Sequence, residues 1–280
     1  MSKNTEKVSV VVCAKNEEKR IKYCLDSIKK NKVDEIILVD GNSKDKTVEI
    51  AKKYTKKIYI SKKKSLTYDR QLGIDKTKNK LIAMIDADHI LKKNDINKLI
   101  KDLKKFNFDI VQSQLISSNN NNILNSSEQQ YWDIVHNYSG KRKMIGTAPA
   151  IYKKKIFNFI RFDSRITKKM DDTDFFYRLN KLNKFNFGVG ETKIKQHHHN
   201  NLKDYLKKFI WYGRGDAEFV IKYPKKIFSI LFHQLIRYPI LYSIRALFKN
   251  KIKSIIFTIS MGILRFFSMI IYIILRCIKL

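Results

Sequence analysis

The feature that most constrains this chain is a repeated pairing. A short aliphatic run ends in a carboxylate or a polar loop, and a segment with helical apolar spacing follows. Val8 to Val12 is apolar without alternation, as expected of a strand buried on both faces. It leads into the polar loop Cys13-Ala14-Lys15-Asn16-Glu17-Glu18, and then Ile21, Leu25 and Ile28 recur at helical spacing. Glu35 to Val39 repeats the pattern and ends in Asp40. The turn-forming stretch Asp40-Gly41-Asn42-Ser43-Lys44-Asp45 opens a helix through Tyr54. Lys57 to Ile60 predicts a third strand, Tyr68 to Lys76 a helix, Leu81 to Ile85 a fourth strand, and Asn94 to Phe106 an amphipathic helix. Such alternation predicts an α/β fold, a mainly parallel sheet flanked by helices.

Ligands of open α/β sheets bind at the carboxyl ends of the strands. Asp40 and the tripeptide Asp86-Ala87-Asp88 fall there. Two carboxylates two residues apart can reach one hard divalent cation, Mg²⁺ or Mn²⁺, whose open positions take diphosphate oxygens. The same tripeptide also suits a solvated loop. Further on, Met170-Asp171-Asp172-Thr173-Asp174 opens a predicted helix over Phe175 to Leu182. These carboxylates suit the positive end of the helix dipole, or a general base that takes a proton from an acceptor hydroxyl.

Ser117 to Ser127 is rich in Asn and Ser and predicts a loop, either a lid or an inert insertion. Gly146 to Ala150 predicts a tight turn before a strand, and Lys193 to Gln196 a strand leading to His197-His198-His199. Adjacent histidines on a strand alternate faces, so His197 and His199 share one face.

Beyond about Leu202 the character changes, which predicts a catalytic domain over residues 1–201 and a helical, membrane-associated region over 202–280. Ile227 to Leu247 and Ile255 to Leu275 are long and apolar. The second is long enough to span a bilayer but carries Arg265, which is costly at that depth. Spanning helices and basic interfacial helices both fit.

The formal charge of +32 predicts attraction to anionic partners, yet Lys is spread along the whole chain rather than clustered. Hydrophobic residues at 44% exclude a disordered chain. Three cysteines, Cys13, Cys24 and Cys277, match no metal spacing and predict a reducing compartment. The polar N-terminus has no signal-peptide layout, so the catalytic part is expected on the cytoplasmic side.

Five stretches in fixed order carry a resemblance: VSVVVCAKNEEKRIKYCLDSI, DEIILVDGNSKDKTVEIAKKY, RQLGIDKTKNKLIAMIDADHI, GTAPAIYKKKIFNFIRFD and DDTDFFYRL. Together they resemble the family-2 glycosyltransferases of the GT-A fold, from about Val8 to His199. The resemblance implies a nucleotide-sugar donor (a UDP- or GDP-sugar). It places Asn16 and Glu17 in the nucleotide pocket, Asp40 on the base or ribose, Arg70 near the base or diphosphate, and Asp86 at the ribose. Asp88 becomes the metal ligand, with Asp86 beside it. Asp172 becomes the catalytic base, supported by Asp171 and Asp174, with Arg178 anchoring their helix. His198 is implied as a further metal or diphosphate contact, or as a structural histidine. Trp211-Tyr212-Gly213-Arg214-Gly215 is similar to a stretch of membrane-bound polysaccharide-assembly relatives. Arg214 would bind a diphosphate or lipid phosphate, unless the glycines merely bend the chain.

Two departures bear on specificity. Where many members carry two adjacent aspartates after the second strand, this chain has Asp40-Gly41, which leaves the base open. The Gln-x-x-Arg-Trp motif of processive synthases is missing around Trp211, against polymer synthesis. The function implied is inverting transfer to a hydroxyl of a membrane-near, lipid-linked glycan. The alternatives are a polyprenyl-phosphate acceptor, an inactive membrane scaffold, and a basic nucleic-acid-binding protein. The ordered carboxylates argue against the last, so no nucleic-acid partner is expected.

Overall fold

The computed structural model describes residues 6–63, 65–119, 122–167, 170–198 and 201–278. His199 lies outside them. In chain order the elements are β1 (Val8–Ala14), α1 (Ile21–Lys29), β2 (Glu35–Asp40), α2 (Thr47–Lys52), β3 (Ile58–Ile60), α3 (Leu66–Asp75), β4 (Leu81–Asp86), β5 (His89–Ile90), α4 (Asp95–Lys105) and β6 (Ile110–Ser117). Then come α5 (Ile123–Val135), β7 (Gly140–Lys141), β8 (Ala150–Lys153), α6 (Asp171–Lys181), β9 (Phe187–Gln196), α7 (Leu202–Lys222), α8 (Ile227–Phe232), a π-helical segment (His233–Leu241), α9 (Tyr242–Phe248) and α10 (Lys253–Ile278).

The chain divides into two compact units. The first holds residues 1–116, 138–164 and 175–196; the second holds 117–137, 165–174 and 197–280. The first unit is a mixed sheet in the order β3-β2-β1-β4-β8-β6-β9-β5, with β7 on β9. Its first four strands run parallel, as the alternation predicts, and β8 joins β4 antiparallel. Every residue of β1 is buried, which explains its lack of alternation. In α1, Ile21, Cys24, Leu25 and Ile28 point inward at i, i+3, i+4 and i+7. Helix α3 lies so close to the sheet that a Cβ at Gly73 would overlap Val11 Cγ1 and approach Val39 Cγ2 to 3.2 Å. That contact seats Arg70, one turn earlier, under the end of β4.

The second unit is helical. The Asn- and Ser-rich stretch read from sequence as a loop is one only at its start: Ser118 and Asn119 belong to no strand or helix, and its end opens a helix. The Asn122 side chain accepts the Asn125 N–H at 2.8 Å and caps α5, and helix runs from Ile123. The segment was polar because a helix start needs such side chains. Helix α7 passes unbroken through Gly213 and Gly215, so the glycines make no bend. At Gly213 a Cβ would overlap the Arg265 carbonyl oxygen and sit 2.7 Å from Ser268 Cβ, so the missing side chain lets α7 and α10 touch. Pro239 lacks an N–H and crowds the preceding turn; it sits within the wider π-helical turns. Arg265 is neutralised: Nε and Nη2 donate to Asp216 Oδ2 and Oδ1 at 2.8 and 2.6 Å, and Nη1 donates to Tyr238 Oη at 2.9 Å.

Candidate active site

β4 delivers Asp86 to the carboxyl edge of the sheet, where Arg70 grips it with a planar fork. Nη1 reaches Oδ1 at 2.9 Å and Nη2 reaches Oδ2 at 3.2 Å. Arg70 is only 1% exposed, so its guanidinium forms part of the floor of the site. Two residues on, Asp88 Oδ2 accepts a hydrogen bond from Gln196 Nε2 at 2.8 Å. That contact exists because β5 pairs antiparallel with β9, setting His89 opposite Gln196. Asp88 Oδ1 is buried and has no hydrogen-bond partner among the described residues. A buried carboxylate oxygen is costly without a partner, and a hard cation is the partner its chemistry fits.

Ligand-capable atoms of Asp86, Asp88 and His89 lie within 4.8 Å of one another. The hydrogen bonding sorts their roles. His89 Nδ1 accepts the Asp86 N–H at 2.9 Å, so in the neutral ring the hydrogen sits on Nε2. Nε2 stands 3.8 Å from Asp88 Oδ1. A ring holding its hydrogen toward the aspartate offers no lone pair to a metal there. His89 therefore braces the turn, and of the three residues the carboxylates are the ones able to offer oxygen to a cation.

Glu17 follows β1 and faces the same edge. Burial raises its carboxyl above the ordinary value; Arg20 opposes this, and Asp88 and Asp86 add to it. Arg20 Nε holds it at 2.8 Å. Asn16 takes a left-handed backbone, φ 54°; its Oδ1 accepts the Lys44 N–H at 2.9 Å and its own N–H donates to Ser43 Oγ at 2.8 Å. Asp40 is turned into its own loop. It is 1% exposed, and it accepts from the Ser43 N–H at 2.8 Å and from the Ser43 hydroxyl. Asp69, which sequence reasoning missed, sits nearby. Burial raises its carboxyl, with a Ser61 hydrogen bond and Lys15 opposing and Asp40 adding. Its Oδ1 is buried without a partner among the described residues.

The second unit holds the other predicted residues. Asp171, Asp172 and Asp174 form the first turn of α6. Asp171 and Asp174 are each 1% exposed. Asp174 Oδ1 pairs with Lys222 Nζ and accepts from Tyr223 Oη at 3.0 Å. Asp172 is half-buried and keeps Oδ1 on the Thr173 N–H at 2.7 Å. Further along α6, Arg178 Nη2 donates to the Arg161 carbonyl at 2.9 Å.

His198 lies just past β9. Its Nδ1 meets Glu128 Oε2 at 2.6 Å and its ring stacks on Trp132 at 4.6 Å. Burial alone would lift the Glu128 carboxyl, but Lys208 and His198 outweigh it and hold it well below the usual range. In the neutral ring, Nδ1–H on the carboxylate leaves the lone pair on the buried Nε2. Arg214 stands exposed on α7. The metal-capable cluster thus holds Asp86, Asp88 and His89, and His198 belongs to a separate carboxylate-histidine-lysine group. His89, Gln196 and Glu128 were missed too. Only His89 gave a sequence signal, by its place next to Asp88.

An uncharacterized glycosyltransferase of Rickettsia conorii is 28% identical over 232 residues, 80% of this chain and 73% of the relative. The crystal structure of S. aureus TarS 1–349 in complex with UDP superposes with TM-score 0.56 at 16% identity, covering 89% of this chain and 90% of that one. Glucosyl-3-phosphoglycerate synthase from Mycobacterium tuberculosis, crystallised with Mn²⁺, UDP and glucosyl-3-phosphoglycerate, superposes with TM-score 0.51 at 17% identity, covering 77% and 79%. At these identities the two structures establish a shared GT-A fold. Residues 9–180, well over half the chain and spanning every strand-end carboxylate described above, match the family model for glycosyl transferase family 2, and the chain belongs to that family.

Proposed function

We propose that this glycosyltransferase moves a sugar from a nucleotide-diphosphate sugar to a hydroxyl of a membrane-near, lipid-linked glycan, with inversion and with the help of Mg²⁺ or Mn²⁺. Residues 1–201 would carry catalysis on the cytoplasmic side and residues 202–280 membrane attachment. The observation that carries the reading is the buried Oδ1 of Asp88, without a hydrogen-bond partner among the described residues, beside an Asp86 clamped by Arg70.

Asp88 would hold the cation, with Asp86 beside it. The cation, when bound, offsets the charge on the departing diphosphate. Asn16 and Glu17 would line the nucleotide side, Arg70 and Asp40 would act from beneath by fixing Asp86 and the Ser43 turn, and Arg214 would contact a phosphate. Asp172 is the cluster's most accessible carboxylate and takes the acceptor proton. Asp174 holds the turn through Lys222, and Asp171 is buried in the same turn. A phosphate acceptor is already a nucleophile and needs no base, so this cluster favours a hydroxyl.

The test is thermal stabilisation of the purified protein by UDP and by GDP, each with and without Mn²⁺, beside Asp88→Ala. A ligand at a hundredfold its Kd stabilises by about 2.7 kcal/mol. The reading expects metal-dependent stabilisation by one nucleotide, lost in the variant. No response to either nucleotide in the folded protein overturns it.

A further inference from the structure

We infer that the two apolar C-terminal segments lie in the plane of an anionic membrane surface and do not cross it. The inference rests on the membrane-attached reading above and fixes its mode. Pro224–Phe248 and Lys253–Ile278 are both long and apolar enough to cross, with mean hydropathy 1.2 and 2.0. Their surroundings within the second unit argue otherwise.

Helix α10 is committed along one face. Ser254, Phe257, Met261, Arg265 and Ser268 are buried at spacings of three and four. Helix α7 runs beside that face in the same direction. The Phe209 and Phe257 rings lie 5.2 Å apart, Ser268 Oγ donates to the Ile210 carbonyl at 2.7 Å, and Tyr272 Oη donates to Glu218 Oε1 at 3.4 Å. The two helices are therefore locked at one level over four turns. Helix α7 is no membrane helix: Lys203, Lys207 and Arg214 stand exposed on it, and the Lys207 side chain is 66% exposed. An α10 that crossed the bilayer would drag those charges into hydrocarbon, which is strongly unfavourable. Lying flat, it leaves them among water and headgroups.

The opposite face of α10 is a single apolar stripe of exposed residues, Ile256, Ile263, Phe267, Ile271 and Ile274. Between Pro224 and Phe248, Phe228, Phe232, Ile240 and Phe248 are exposed apolar side chains as well. Charge selects the partner. From Phe219 to Leu280 the chain carries eleven Lys and Arg and no Asp or Glu. Lys225, Lys226, Lys249 and Lys253 cluster at the helix ends. Apolar residues at acyl depth with cations at phosphate depth match an anionic bilayer surface. A second copy of this chain would bring one carboxylate-free basic surface against another.

The test uses the full chain in inverted inner-membrane vesicles from a bacterial expression host. Cys13 and Cys24 are buried and Cys277 is exposed. Native Cys277 and, in a Cys277→Ser background, the thiol of Lys249→Cys are each labelled with a membrane-impermeant maleimide before and after detergent. The inference expects both thiols to label fully without detergent, and a high-pH carbonate wash to release the chain. Protection of Cys277 alone means that α10 crosses; protection of the K249C thiol alone means that the helices cross as a hairpin. Either overturns the inference while leaving attachment standing. A chain absent from the membranes, and unbound by vesicles of phosphatidylglycerol, overturns attachment itself.

Discussion

Arg70 and Asp86, sixteen residues apart, meet as a two-bond fork at 2.9 and 3.2 Å, with the arginine buried and the aspartate at the rim. Lys in place of Arg keeps the charge but cannot form two parallel bonds. Arg70→Lys is expected to cost about 1.5–3 kcal/mol, the worth of a hydrogen bond to a charged group, read by urea unfolding. Nucleotide affinity should fall with it, since Asp86 loses its fixed orientation.

His89 supports a sharper test, because Asn mimics Nδ1 of the ring and Gln mimics Nε2. If His89 braces the turn through Nδ1, as the 2.9 Å bond from the Asp86 N–H indicates, His89→Asn keeps Mn²⁺ binding close to wild type and His89→Gln loses at least tenfold. Metal titration followed by electron paramagnetic resonance, without acceptor or turnover, distinguishes them. The reverse order of the two variants would make His89 a ligand.

Asp172 and Asp174 are predicted to fail differently. Asp172→Asn should lower kcat by about 10²–10⁴, the range of a lost general base, and leave donor binding and melting temperature intact. Asp174→Ala strands Lys222 beside a buried site and should cost about 3–5 kcal/mol of stability, as breaking a buried pair does. Steady-state kinetics and denaturant unfolding on both proteins separate the two roles.

Asp69 gives a pH signature. Burial raises its carboxyl in the fold, so its contribution to stability is fully present below the unfolded-state pKa, about 3.9, and is lost as pH rises through the folded value. Asp69→Asn escapes that loss. The variant should melt higher than wild type at pH 7, with the difference vanishing near pH 4. A constant offset across that range would contradict the assignment.

Much of the first unit was legible in the sequence for a simple reason. Strands buried on both faces admit little but aliphatic residues, so β1, β2 and β4 advertise themselves, and the carboxylates that end them stand out. Partnerships across long sequence distances were not legible. Nothing in Asp88 announces Gln196, and nothing in Arg265 announces Asp216 on α7. Both pairs depend on how elements pack. Arg265 read from sequence as an obstacle in an apolar helix; its fork onto Asp216 removes the unpaired charge. The Asn-rich stretch before α5 misled because capping residues and loop residues are the same types. The histidines behaved similarly. Position in the chain favoured His198, whereas adjacency to Asp88 favoured His89, and only the hydrogen bond on each Nδ1 separates a bracing ring from one that keeps a lone pair.

The bond between Gln196 and Asp88 joins residues 108 apart in the chain. At the ribosome, synthesis of that interval takes roughly 5–20 s at about 5–20 residues per second. Throughout it, the first four strands can already emerge and pair, while Asp88 lacks the amide that orients it. The nascent protein therefore acquires its sheet before the Asp88 carboxylate is set. A chain truncated before β9 would fold in part and present the strand-end acids, yet be unable to aim the one on which the chemistry is proposed to depend.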